Sequence, residues 1–119
     1  MMLLPILGIL LAISLTFNLL AAIGILRFPD VYNRLHASTK CTTFGSIFMS
    51  LAVIIYSLDR YLSDGSLKHI TLTLHVLVAL ACVMLGNPVG SHAIARAAHR
   101  SGVLPALAVV DRFAEEEGR

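Results

Sequence analysis

The chain has 119 residues, of which 57% are hydrophobic and 13% charged, with a formal net charge of +2. Soluble domains carry charge on about a quarter of their residues. This composition therefore excludes an ordinary water-soluble domain, and so small a net charge excludes a nucleic-acid footprint. Met1–Leu26, Cys41–Leu58 and His69–Ala95 contain no Asp, Glu, Lys or Arg, in runs of 26, 18 and 27 residues. A helix rises ~1.5 Å per residue, so about 20 residues cross a hydrocarbon core ~30 Å thick. The expected fold is an all-α membrane protein, a single membrane domain over 1–119. It has three transmembrane helices, a short cytoplasmic interfacial helix and a cytoplasmic C-terminal tail.

The first span is expected over about 3–27, with Pro5 in its opening turn. Met1–Leu20 lacks the positive flank of a signal peptide and its apolar run is too long for one, so it reads as a retained helix. Phe28 precedes Pro29 and is the expected stop. Pro29-Asp30 reads as a fresh helix start, and Asp30 and Arg34 share a favourable i, i+4 spacing. A cytoplasmic interfacial segment over 29–41 then runs directly into a second span over about 42–58. Residues 59–69 are polar and turn-rich around Asp64-Gly65 and read as an external loop.

A third span over about 70–87 is expected to break at Asn87-Pro88-Val89-Gly90. The tail, 88–119, then holds a short basic helix over Ser91–Ser101, an apolar stretch Val103–Val110 too short to cross, and an acidic end around Glu115-Glu116-Glu117. Arg27, Arg34, Lys40, Arg96 and Arg100 on one side oppose Arg60 and Lys68 on the other. The positive-inside rule then puts the first loop and the tail in the cytoplasm and the N-terminus outside.

Lipid gives helices no hydrophobic reason to associate, so small and polar residues do that work. On the third span Thr71, His75, Ala79, Cys82, Gly86 and Gly90 form one such stripe, with Ala79, Cys82 and Gly86 expected to pack against a neighbour. The stripe turns His75 towards protein, where it either relays protons or makes one structural hydrogen bond. Ser14 and Asn18 share a face of the first span, and Ser46 and Ser50 a face of the second. Asn18 and Ser46 either line a hydrated cation path or bond across helix contacts. No Asp or Glu lies at a span centre, which argues against an ion-coupled transporter acting alone. No nucleophile with a base, glycine-rich phosphate loop or metal-ligand cluster is evident. No enzyme activity, cofactor or metal is therefore expected. Cys41 and Cys82 have no C-x-x-C neighbour and read as small buried residues.

The first loop is dense: Gly24-Ile25-Leu26-Arg27-Phe28-Pro29-Asp30-Val31-Tyr32-Asn33-Arg34-Leu35-His36-Ala37-Ser38-Thr39-Lys40, followed by Thr42-Thr43-Phe44-Gly45. It resembles the G-x-x-R-F-P-D-x-Y-x-R-L-H-A-x-T-K signature of the G-type small subunits of the Mrp-type multisubunit Na+/H+ antiporters. A second stretch, Asn87–Val103, carries Pro88, His92, Arg96 and Arg100 and is similar to that family's tail motif. The resemblance covers nearly the whole chain. It implies a prokaryotic plasma-membrane complex of six or seven subunits that exchanges cytoplasmic Na+ for external H+. Large subunits would carry the proton channels, and this one would complete the assembly and contribute to the cation path. Similar subunits occur in hydrogenase-linked ion pumps. Read by its chemistry alone, the loop of Arg27, Asp30, Arg34, His36 and Lys40 is either a cytoplasmic ion entrance or a positive-inside anchor clamped to other subunits. Asp30 is the one carboxylate there for a cation, and Phe28 and Tyr32 suit an interface. A holin-like homo-oligomeric pore is the competing class. The specific loop counts against it, because lysis needs no such motif.

Overall fold

A computed structural model, which describes residues 3–103, consists of three long helices: α1 (Leu3–Arg27), α2 (Val31–Asp64) and α3 (Leu67–Arg100). All three are long and apolar enough to cross a membrane. The chain is an all-α, multi-pass membrane protein.

α1 ends at the Phe28-Pro29 boundary, where the Phe28 N–H still donates to the Gly24 carbonyl at 3.2 Å. Asp30 is the N-cap of α2, extended at φ −101° and ψ 132°, and its carboxylate accepts from the Tyr32 N–H at 3.5 Å. α2 then runs 34 residues without interruption. At ~1.5 Å per residue that is ~51 Å, well beyond the hydrocarbon thickness. The segment expected as an interfacial helix is thus continuous with the second span. The loop expected over 59–69 shrinks to Gly65 and Ser66. Gly65 takes the left-handed conformation (φ 63°) and closes α2 with an N–H bond to the Tyr61 carbonyl at 2.8 Å, a geometry glycine adopts without steric cost. Arg60 lies over the Tyr56 ring, 5.6 Å from its centroid, at this end of α2.

The break expected at Pro88 does not occur; α3 passes through it to Arg100. Two bonds to α2 flank the proline. The Asn87 amide donates to Thr43 Oγ1 at 3.5 Å, and the Thr39 and Ser91 hydroxyls pair at 2.6 Å. Proline is tolerated within spans that pack on neighbouring helices. The apolar stretch from residue 104 to 110 and the acidic end lie outside the described residues.

α2 is central: it packs α1 along one side and α3 along another, while α1 and α3 share no substantial contact. The buried residues are all small: Ser14, Ala21 and Gly24 in α1, Gly45, Ala52 and Ser57 in α2, and none in α3. Small residues let the backbones approach, which is how helices associate where lipid competes with any apolar contact. The result is an open row of helices, 63 × 25 × 18 Å, that presents its Leu and Ile side chains outward.

Ser57, fully buried, pins the turn end of the α2–α3 hairpin. Its hydroxyl donates to the His69 carbonyl and accepts from Thr73 Oγ1 at 3.1 Å. We expect Ser57→Ala to destabilise the hairpin by about 0.6–1.7 kcal/mol. The check is the detergent-denaturation midpoint of the purified complex, and an unchanged midpoint would contradict the pin.

Candidate functional site

The polar residues of the first two spans form a clasp. Ser14 Oγ donates to the Gly45 carbonyl at 2.7 Å across the helix contact, and the Asn18 amide donates to the Ser14 carbonyl at 2.9 Å. Asn18 lies directly over Gly45, where a Cβ would stand 2.6 Å from its amide nitrogen. Phe17 stacks on Phe44 and Phe48 beside it, with centroids 5.6 and 6.1 Å apart. Asn18 is therefore held in a helix contact, while Ser46 is half-buried outside the clasp.

The loop motif is likewise knitted to the backbone. Arg34 Nε donates to the Phe28 carbonyl, folding the side chain back over Pro29. Asp30 caps α2, so the motif's single carboxylate is engaged at a helix N-terminus, where negative charge is favoured. Arg27 is exposed at the last turn of α1, where a cation complements the helix dipole. The Tyr32 hydroxyl donates to the Val103 carbonyl at 2.9 Å, tying the start of α2 to the end of α3.

A concavity lies between the same two helices. Tyr32, Leu35, His36, Thr39 and Lys40 of α2 face Ser91, His92 and Ala95 of α3 across a groove of about 430 Å³. Both sequence motifs supply its walls, so the two stretches singled out far apart in the chain meet at one place. His92, Arg96 and Arg100 continue along α3 at four-residue steps, on one face beyond the groove. Pro88 lies one turn before His92 and outside the groove.

α3 meets α2 through the half-buried Thr73, Val76, Leu80, Val83, Asn87 and Ser91. The stripe expected to be packed, with Ala79, Cys82 and Gly86, is on another face and is exposed. The hydrogen-bonding residues Thr73, Asn87 and Ser91 select the face, and glycine and alanine offer α2 no such bond. His75 shares the open stripe, so within this chain it does not face protein. Its Nδ1–H donates to the Thr71 carbonyl one turn back at 2.7 Å, a bond within its own helix. Cys82 is likewise exposed and Cys41 half-buried, and both are free thiols rather than fully buried ones. Among the described residues, no three His, Cys, Asp or Glu side chains converge on a metal-sized site.

Sequence reasoning missed Gly45, Ser57 and the Thr39–Ser91 and Thr43–Asn87 pairs. Gly45 stands in the quoted loop motif, but nothing local says that Asn18 will cover it.

Residues 10–99 match the family model described as Na+/H+ antiporter subunit. The chain belongs to this antiporter-subunit family. A UPF0091 protein of Pyrococcus horikoshii is 56% identical over 105 residues, covering 88% of this chain and 87% of that one. The G subunit of the Na(+)/H(+) antiporter of Alkalihalophilus pseudofirmus is 40% identical over 86 residues, 72% of this chain and 66% of that one. Among solved structures, a chain of the membrane-bound sulfane sulfur reductase, an archaeal respiratory membrane complex, superposes with a TM-score of 0.76 at 34% identity, covering 96% and 97% of the two chains. As an antiporter-subunit-family member, the chain is a subunit of a hetero-oligomeric membrane complex. Its open row of helices suits that setting, since most of its surface is left for other subunits and lipid.

Proposed function

We propose that the chain is a non-catalytic subunit of a Na+/H+ exchange complex in a prokaryotic plasma membrane, with its N-terminus outside and its C-terminus cytoplasmic. Its role is assembly; the ion is conducted by other subunits. One observation carries this reading: Asp30, Ser14 and Asn18, which are suited to touching a cation, are already used to hold helices. Asp30 caps α2, and Ser14 and Asn18 clasp Gly45. The remaining loop side chains that carry charge, Arg27, Arg34 and Lys40, are cations that repel sodium. The open α3 stripe supports the same role, because an imidazole turned to lipid is unfavourable while a partner helix seats well on Ala79, Cys82 and Gly86.

The match to a respiratory complex along nearly the full length of both chains favours one second reading, a structural subunit of a redox-driven ion pump. One experiment addresses both. Everted vesicles carrying the whole operon are assayed for sodium-dependent proton movement with the gene intact, deleted, or encoding Asp30→Ala or His75→Ala, and assembly is followed on native gels. Deletion should abolish assembly and exchange. Asp30→Ala should weaken the start of α2 by about 1 kcal/mol yet assemble and exchange normally. A point variant that assembles but loses exchange would put that residue on the ion or proton path. Exchange that appears only with a respiratory electron donor would favour the redox pump.

A further inference from the structure

The scaffold role leaves Lys40, His36 and His92 unexplained, though the fold gathers them on one groove. Their depth in the bilayer follows from the sequence. Lys40 immediately precedes the 18-residue charge-free run Cys41–Leu58, which at ~1.5 Å per residue spans ~27 Å, close to the full hydrocarbon thickness. Lys40 therefore stands at the hydrocarbon boundary. His36 lies one turn further out, ~6 Å, within the headgroup layer, and Tyr32 two turns out, ~12 Å, just beyond it. The Thr39–Ser91 and Thr43–Asn87 bonds fix the register of α3, so Ser91 and His92 reach the same level.

The groove walls combine cationic or protonatable groups (Lys40, His36, His92), hydroxyls (Thr39, Ser91) and the apolar Leu35 and Ala95, with no acid among them. Such a lining at this depth complements a phosphate. Below it, Ile47 and Leu51 follow Lys40 by seven and eleven residues, on the same face of α2, and both are exposed. They give acyl chains an apolar track directly beneath the basic groove, which a free anion would not need.

We propose that this groove binds the phosphate headgroup of an anionic phospholipid, with Lys40 as its principal charge contact. Basic pockets between spans on the cytoplasmic side are suited to such headgroups. The site stands on depth and charge rather than on the antiporter reading, so failure of the exchange assay would leave it intact.

The test uses the whole purified complex in nanodiscs of phosphatidylcholine doped with a photoreactive phosphatidylglycerol or, in parallel, a photoreactive phosphatidylcholine. Crosslinked residues are mapped by mass spectrometry, and assembly is checked on native gels. The wild type should label between residues 32 and 40 or 91 and 95 with the anionic lipid, at least about fivefold more than with the neutral one. Lys40→Gln should lower that labelling about fivefold, Lys40→Arg should keep it, and Lys68→Gln at the opposite end should not change it. Equal labelling by both lipids overturns the proposal, as does labelling indifferent to Lys40→Gln. Suppression by millimolar inorganic phosphate would make the ligand a free anion and overturn it too. Crosslinks from the groove to another protein of the complex in place of lipid would make it a protein interface, with the same consequence. Should Lys40→Gln fail to assemble, the comparison of the two lipids on the wild type and on Lys40→Arg still decides.

Discussion

Gly45→Val is expected to remove the chain from its complex. A Cβ at this position would lie 2.6 Å from the Asn18 amide nitrogen, 2.9 Å from its Cγ and 3.0 Å from its Oδ1. Asn18 cannot simply swing away, because its amide bonds the Ser14 carbonyl and the Ser14 hydroxyl bonds the Gly45 carbonyl. Valine adds two methyl groups beyond that Cβ, so α1 and α2 must separate and the clasp must open. Overpacking costs about 1–3 kcal/mol, and the lost interhelical bond about 0.6 kcal/mol on average within a membrane. The total is on the order of the stability of one helix contact in so thinly packed a fold. The checks are the amount of this chain on native gels and the denaturation midpoint of whatever complex remains. The pair Gly45→Ala with Asn18→Ala should recover assembly lost in Gly45→Ala alone, since the clash then has no partner. Wild-type assembly of Gly45→Val would refute the clasp.

Gly86→Leu is expected to lower incorporation into the complex more than tenfold while leaving the chain itself inserted. No atom lies within 4 Å of a Cβ built at Gly86, so this chain's own packing does not resist the larger residue. Any effect must come from outside. If a partner helix seats on Ala79, Cys82 and Gly86, a leucine there holds the two backbones apart and forfeits the close approach that drives such association. Gly86→Ala should assemble almost normally. Comparing the total amount of this chain in the membrane with the amount in the complex separates insertion from docking. Equal incorporation of Gly86→Leu and wild type would mean that the stripe faces lipid.

The legible parts of this protein were those in which one residue's own chemistry decides. A charged side chain is expensive in hydrocarbon, so charge-free runs mark the spans whatever their neighbours do. Pro29 ends a helix through its own ring, and Asp30 caps the next through its own carboxylate. Pro88 reads as the same kind of stop and is not one: α3 passes through it, joined to α2 by the Thr39–Ser91 and Thr43–Asn87 bonds on either side. The loop and tail motifs were legible as patterns, but their meeting in one groove was not, since that depends on the register between α2 and α3.

The membrane class, the number of spans and the two family motifs could be read along the chain, because desolvation of charge and fixed motif spacing act locally. Three outcomes needed the folded molecule: which face of α3 packs, that Asn18 closes over Gly45, and that Lys40 comes level with His92. Each rests on contacts between residues far apart in the sequence. In a bilayer, where apolar burial favours no particular face, a few interhelical hydrogen bonds and the close approach at small residues make the choice.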